Sequence, residues 1–75
     1  MKTVELDCRG LSCPMPIVKI SRAMKELAVG DQLSVAASDP SFEADLDAWV
    51  RKLGQKLIAF SEDAGTQKAL LLKQV

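Results

Sequence analysis

The two residues of this chain best suited to covalent chemistry, Cys8 and Cys13, both lie in Leu6-Asp7-Cys8-Arg9-Gly10-Leu11-Ser12-Cys13-Pro14-Met15-Pro16. Cys13 stands directly before a proline, and Pro14 is followed by a helical apolar pattern from Ile17 to Leu27. This spacing predicts that Cys13 occupies the N-cap of a helix, with Pro14 as its first residue. Free backbone N–H groups and the positive end of the helix dipole then favour thiolate over thiol. Pro14 and Pro16 remove only donors that have no partner in a first helical turn, and they stiffen the turn that holds the sulfur. The bland alternative is a buried cysteine beside an ordinary proline helix start. Cys-Pro-x-Pro after a strand and a glycine turn favours a sulfur nucleophile.

The elements that must position this sulfur follow from hydrophobic periodicity. Thr3 to Asp7 alternates, with Val4 and Leu6 on one face, and predicts a first strand. Ile17, Ile20, Met24, Leu27 and Ala28 recur at helical spacing, predicting one amphipathic helix that closes at Gly30. Gln32 to Ala37 alternates again and completes a right-handed βαβ unit with parallel strands. Asp39 is the expected N-cap of a second helix, with Pro40 at its first position and Glu43 and Asp45 complementing the dipole. These acids and Asp47 are thereby explained without a direct chemical role. Phe42, Leu46, Trp49, Val50 and Leu53 form its buried stripe, with Trp49 a core anchor, and Gly54 ends it.

Lys56 to Ser61 and Thr66 to Gln74 predict two more strands, joined as a hairpin through Glu62-Asp63-Ala64-Gly65. The expected fold is an α/β (α+β) two-layer sandwich, β-α-β-α-β-β, with a four-stranded mixed sheet and two helices. One sheet face then has no cover, and some of Ile58, Phe60, Leu70, Leu71 and Leu72 are expected on it.

Composition narrows the function classes. Seventy-five residues predict a single domain, 1–75, and a chain this small buries only about 60% of its unfolded surface. Ten basic and ten acidic residues give a formal net charge of zero, with no cationic stripe for phosphates and only three aromatic side chains. Direct nucleic-acid binding is therefore disfavoured. No apolar stretch reaches the length of a membrane span, and the N-terminus opens into a strand pattern, so a cytoplasmic protein is expected. Two cysteines are too few for a disulfide scaffold, and the absence of histidine removes the common zinc sets and any Cys-His pair. Activation of Cys13 is left to the helix terminus, to Arg9 or to a partner protein.

The motif resembles the TusA/SirA-like sulfur-carrier family, in which Cys-Pro-x-Pro follows a Leu-Asp-x-x-Gly-Leu-x pattern. Leu6, Asp7, Gly10, Leu11, Cys13, Pro14 and Pro16 carry the resemblance, which extends through Val29-Gly30-Asp31, Asp39-Pro40 and the Trp49 helix. It implies that Cys13 accepts sulfane sulfur as a persulfide and hands it on. Pro14, Pro16, Gly10 and Arg9 support the loop. No metal or organic cofactor is implied, and little turnover is expected without partners. Those partners are a sulfur donor, such as a cysteine desulfurase or rhodanese, and an acceptor sulfurtransferase with a reactive thiol. A monomer or weak homodimer is expected. The alternative is a non-catalytic redox-regulatory or protein-interaction module using the same loop.

Two positions stand outside the motif. Cys8, five residues before Cys13, is either a small strand-end residue or a resolving thiol that attacks an oxidised or persulfidated Cys13. Gln55 stands where the resemblance often places histidine after the glycine, a change expected to affect partner preference before chemistry. Arg9 either stabilises a thiolate or docks an acidic partner, the alternative being a solvated loop cation.

Overall fold

The computed structural model describes residues 2–75. The strands are β1 (Thr3–Cys8), β2 (Gln32–Ala37), β3 (Lys56–Asp63) and β4 (Thr66–Leu72), and the helices are α1 (Met15–Lys25) and α2 (Phe42–Leu53). They follow the expected β-α-β-α-β-β order and form one mixed sheet in the order β1-β2-β4-β3. β1 and β2 are parallel, while β4 runs antiparallel to both β2 and β3.

This order accounts for the two layers. β3 is antiparallel to β4, which is antiparallel to β2, so β2-α2-β3 is a second parallel crossover, stepping the same way across the sheet as β1-α1-β2. Two right-handed crossovers with the same step put both helices on the same face. The packing agrees. Ile20 and Met24 of α1, Phe42, Leu46 and Val50 of α2, and Leu33, Val35, Ala37, Ala69 and Leu71 of the sheet share one core. Phe60 extends it, stacking on Phe42 with ring centroids 6.3 Å apart.

The uncovered face carries some of the expected apolar residues and not others. Leu71 is fully buried beneath the helices and Phe60 packs there too, leaving half-buried Leu70 and Leu72 on the open side among Glu5, Ser34, Ala36 and Lys68. A register shift between Leu57 and Ala59 inserts Ile58 as an extra residue, 41% exposed. No helix among the described residues is long and apolar enough to cross a membrane.

Several boundaries differ from the expected ones for tertiary reasons. α1 ends at Lys25 with Glu26 as C-cap, not at Gly30. The carboxylate of Asp31 accepts the Ala28 N–H at 3.0 Å and the Lys2 N–H at 3.2 Å. Lys73 Nζ donates to the carbonyls of Met24 (2.9 Å) and Leu27 (2.6 Å), so one distant side chain takes an acceptor in the helix's last turn and another just beyond its end. α2 starts at Phe42 with Ser41 as N-cap, not at Pro40, and the Asp39 side chain is shared between Ser41 and the Cys13 N–H. Its end at Gly54, with φ 74°, is as expected, whereas Leu53 is 43% exposed. β3 and β4 extend to a two-residue turn, Ala64 (φ 52°) and Gly65 (φ 84°), whose paired positive φ values suit the right-handed twist of a hairpin.

Candidate functional site

The loop from Arg9 to Pro14 leaves β1 and is tied down backbone group by backbone group. Leu11 N–H returns to the Cys8 carbonyl at 3.3 Å, Gly10 N–H donates to Ser38 Oγ at 2.9 Å, and Met15 N–H donates to the Ser12 carbonyl at 2.9 Å. Gly10 takes φ 80°, a left-handed value that a side chain would strain. Cys13 N–H is held by Asp39 Oδ2 at 3.0 Å, and the Cys13–Pro14 peptide is cis. Cys13 is exposed at the end of this fixed loop.

The N-cap of α1 is Pro14, with Pro16 at the second helical position, so Cys13 stands one residue outside the expected cap. The Cys13 N–H is spent on Asp39 instead of opening a helix, and the first helical bond runs from Val18 N–H to the Pro14 carbonyl. Pro16 is buried against the core, which anchors the turn.

The electrostatics reverse the expected direction. Cys13 Sγ and one carboxylate oxygen each of Asp39 and Asp45 lie within 4.8 Å of one another. The Asp45 carboxylate beside the sulfur favours the protonated form and holds Cys13 above the ordinary thiol range. Local desolvation and the negative charges of Asp45 and Asp39 push the same way, while the Ser41 hydroxyl opposes them. Ser41 Oγ bridges the acids, 2.8 Å from Asp39 Oδ2 and 3.2 Å from Asp45 Oδ2. The hydroxyl and the two carboxylates make one hydrogen-bonded cluster, and the sulfur lies beside it. These are also the potential metal-ligating groups gathered among the described residues, and their oxygens are engaged by Ser41 and the Cys13 amide.

Asp39 and Asp45 were assigned only to the helix start by sequence reasoning, yet the fold brings both to Cys13. The signal lies in the topology. Parallel neighbours β1 and β2 end side by side, with Cys8 opposite Ala37, so the loops after them must touch. Ser38 to Gly10 and Asp39 to Cys13 are those contacts.

The other singled-out residues are placed as follows. Arg9 makes a two-pronged pair with Asp7, Nε to Oδ1 at 2.9 Å and a terminal nitrogen to Oδ2 at 3.0 Å, both side chains being 60% exposed. That pair pulls the Asp7 carboxyl down to about 2. Cys8 is fully buried, its Sγ 4.0 Å from the Pro16 carbonyl, and burial pushes its thiol upward. Both cysteines are free thiols. An attack by Cys8 on Cys13 requires the end of β1 to leave the core. Gln55 follows the far end of α2, where Oε1 accepts Gln74 N–H at 2.7 Å and Nε2 donates to the Val75 carbonyl at 3.3 Å. A twelve-residue helix, about 18 Å long, separates that position from the α2 start beside Cys13. Trp49 is half-buried instead of core-enclosed, and with Pro14, Ile17, Arg22 and Lys25 it lines a shallow groove between the helices.

Fold and site together define a small two-layer α/β domain that presents one exposed thiol on a braced loop. The family described as "Sulfurtransferase TusA" matches residues 4–73. The sulfur carrier protein TusA of Allochromatium vinosum is 35% identical over 69 residues, covering 92% of this chain and 91% of that one. YrkF of Bacillus subtilis is 38% identical over 71 residues, 95% of this chain, which spans only 38% of YrkF's own length. A crystal structure of a SirA-like protein from Desulfitobacterium hafniense superposes over 100% of both chains with a TM-score of 0.78 at 19% identity, the same fold. The chain belongs to the TusA family of sulfur-carrier proteins.

Proposed function

We propose that this protein, as one domain over 1–75, accepts sulfane sulfur on Cys13 as a persulfide and passes it to an acceptor thiol. The observation that supports this most directly is the contrast between the two cysteines: Cys13 is exposed on a braced loop, while Cys8 is sealed in the core. In loading, the Cys13 sulfur attacks the outer sulfur of a donor persulfide. The Cys13 Sγ–S bond forms, the donor S–S bond breaks with its electron pair on the donor thiolate, and that thiolate takes up the proton shed by Cys13. Sulfane sulfur changes hands with no net oxidation. Discharge repeats the exchange, an acceptor thiolate attacking the outer sulfur and Cys13 leaving.

The donor in this reading is a cysteine desulfurase or rhodanese, and the acceptor is a sulfurtransferase with a reactive thiol, in the cytoplasm. The relay serves tRNA thiolation, molybdenum-cofactor biosynthesis or reduced-sulfur metabolism, with the carrier a monomer or weak homodimer between encounters. Arg9, paired with Asp7, supports the loop from its exposed side, and Gly10, Pro14 and Pro16 fix its path.

Incubation with a cysteine desulfurase and cysteine, or with polysulfide, followed by intact and peptide mass spectrometry, tests the assignment. Trypsin separates the cysteines at Arg9, leaving Cys8 in peptide 3–9 and Cys13 in peptide 10–19. The expected result is a reducible adduct of about 32 Da, one sulfur atom, on peptide 10–19, absent from Cys13→Ser. No adduct from any donor, with the thiol shown free beforehand, overturns this reading and favours a protein-interaction module.

A further inference from the structure

Resting on the persulfide reading, we propose that Asp45, braced by Ser41 and Asp39, is a positioning residue that keeps Cys13 a protonated thiol in the undocked carrier, restraining its attack on donors and its departure from bound sulfur.

The two carboxylates are not equivalent. Asp39 accepts Cys13 N–H at 3.0 Å, Ser41 Oγ at 2.8 Å and, more weakly, Ser41 N–H at 3.5 Å, so its charge is already compensated by fixed donors. Asp45 receives Ser41 Oγ at 3.2 Å, and a hydroxyl has one hydrogen to give. While Ser41 serves Asp39 at the shorter distance, Asp45 is the carboxylate free to accept the Cys13 S–H. The groups acting on Sγ come from the loop after β2, which carries Asp39 and Ser41, and from α2, which carries Asp45, with no cation among these described residues. Arg9, on the sulfur's own loop, is committed to Asp7. A thiolate formed here is a third negative charge in one small cluster.

Two effects follow for sulfur exchange. Fewer carriers hold Cys13 as the attacking thiolate at neutral pH. Once loaded, the inner sulfur of Cys13 is the leaving group, and a leaving thiol of higher pKa departs more slowly, so the sulfur is retained against small thiols. The proton retained on Cys13 is the one that passes to the donor's thiolate when loading proceeds. A docking partner that sets a cation against Asp45 lifts both restraints.

The test is the pH dependence of Cys13 alkylation by iodoacetamide, read on peptide 10–19, in wild type, Asp45→Asn and Asp39→Asn. Asp45→Asn is expected to move the midpoint downward. Each unit of downward movement raises the thiolate fraction tenfold while its intrinsic nucleophilicity falls about threefold, a net gain of about threefold at a pH below the midpoint. Asp39→Asn is expected to move the midpoint less. An Asp45→Asn midpoint that is unmoved or raised, or an equal or larger shift in Asp39→Asn, overturns the assignment. A wild-type measurement covers the case of a variant that fails to fold. Going from low salt to about 1 M, where the Debye length is about 3 Å, is expected to lower the midpoint, and no change overturns the proposal. Alkylation needs no sulfur donor. Failure of wild type to load sulfur sinks the persulfide reading, while the alkylation profiles decide the role of Asp45 separately.

Discussion

Replacing Cys8 by serine separates a structural thiol from a chemical one. Cys8 is fully buried where β1 enters the core, opposite Ala37, and its thiol's hydrogen-bond partner among the described residues is the Pro16 carbonyl at 4.0 Å, a weak contact. A thiol is tolerated there because it behaves as a small hydrophobe. A hydroxyl must give up water for an acceptor that far away, at a cost of about 1–3 kcal/mol. For a 75-residue chain, whose total stability is about 4–11 kcal/mol, that is a substantial fraction. At 4–8 °C per kcal/mol for a domain of this size, the expected fall in melting midpoint is about 5–20 °C. The assay is reversible thermal unfolding by circular dichroism under reducing conditions, followed by sulfur loading of the folded variant well below its midpoint. Loading of peptide 10–19 is expected to match wild type. A wild-type midpoint refutes the burial argument. Lost loading in the folded variant, or a two-proton mass loss in mildly oxidised wild type, reinstates Cys8 as a resolving thiol.

Ala64 adopts φ 52° in the hairpin turn, where an L side chain costs about 1–2 kcal/mol. Ala64→Gly removes that cost against a glycine entropy penalty of about 0.5–1 kcal/mol. A net gain of about 0.5–1 kcal/mol is expected as a midpoint several degrees higher, and a lower midpoint refutes the turn assignment. Asp31, holding the Ala28 and Lys2 N–H groups, has its carboxyl drawn below the ordinary value of 3.8, chiefly by the bond from Ala28. A depressed folded-state pKa contributes stability that is full above the unfolded value and lost as pH falls through the folded one. The urea midpoint is therefore expected to drop as pH falls below about 4, less steeply in Asp31→Asn, and parallel acid profiles for the two proteins would count against this linkage.

What could be read from the sequence was local or periodic. Leu33 and Val35 alternate with polar neighbours and lie under the helices, and Ile20, Met24, Leu46 and Val50 fall on the buried faces their spacing predicts. Gly54 ends α2 because a positive φ at a helix end is a backbone requirement that one residue type satisfies cheaply. The end of α1 was not legible for the opposite reason. Leu27 continues the apolar pattern and is buried, yet the chain has already left the helix. The groups that take its carbonyls belong to Lys73, 46 and 49 residues away. Leu71 was placed beside Leu70 and Leu72 as a candidate for the open face, and only the pairing of β4 between β2 and β3 decides which of three consecutive leucines turns inward.

The exposed cysteine follows the same division. Its loop is written locally, in a glycine with positive φ and two prolines about the sulfur, and the structure keeps that loop where the motif places it. Its charge state is not local. A helix terminus considered alone promises a stabilised thiolate, whereas Asp39 and Asp45, brought in by the neighbouring parallel strand, favour the thiol. The contact between Asp39 and the Cys13 amide makes the two effects inseparable: the bond that fixes the sulfur's position also brings a carboxylate into its cluster. Removing the acids to raise reactivity therefore loosens the loop if Asp39 is chosen and spares that bond if Asp45 is chosen. A carrier that must meet a donor and an acceptor in turn gains from an ordered but protonated sulfur, since position is what docking requires and thiolate is needed only once docking has occurred.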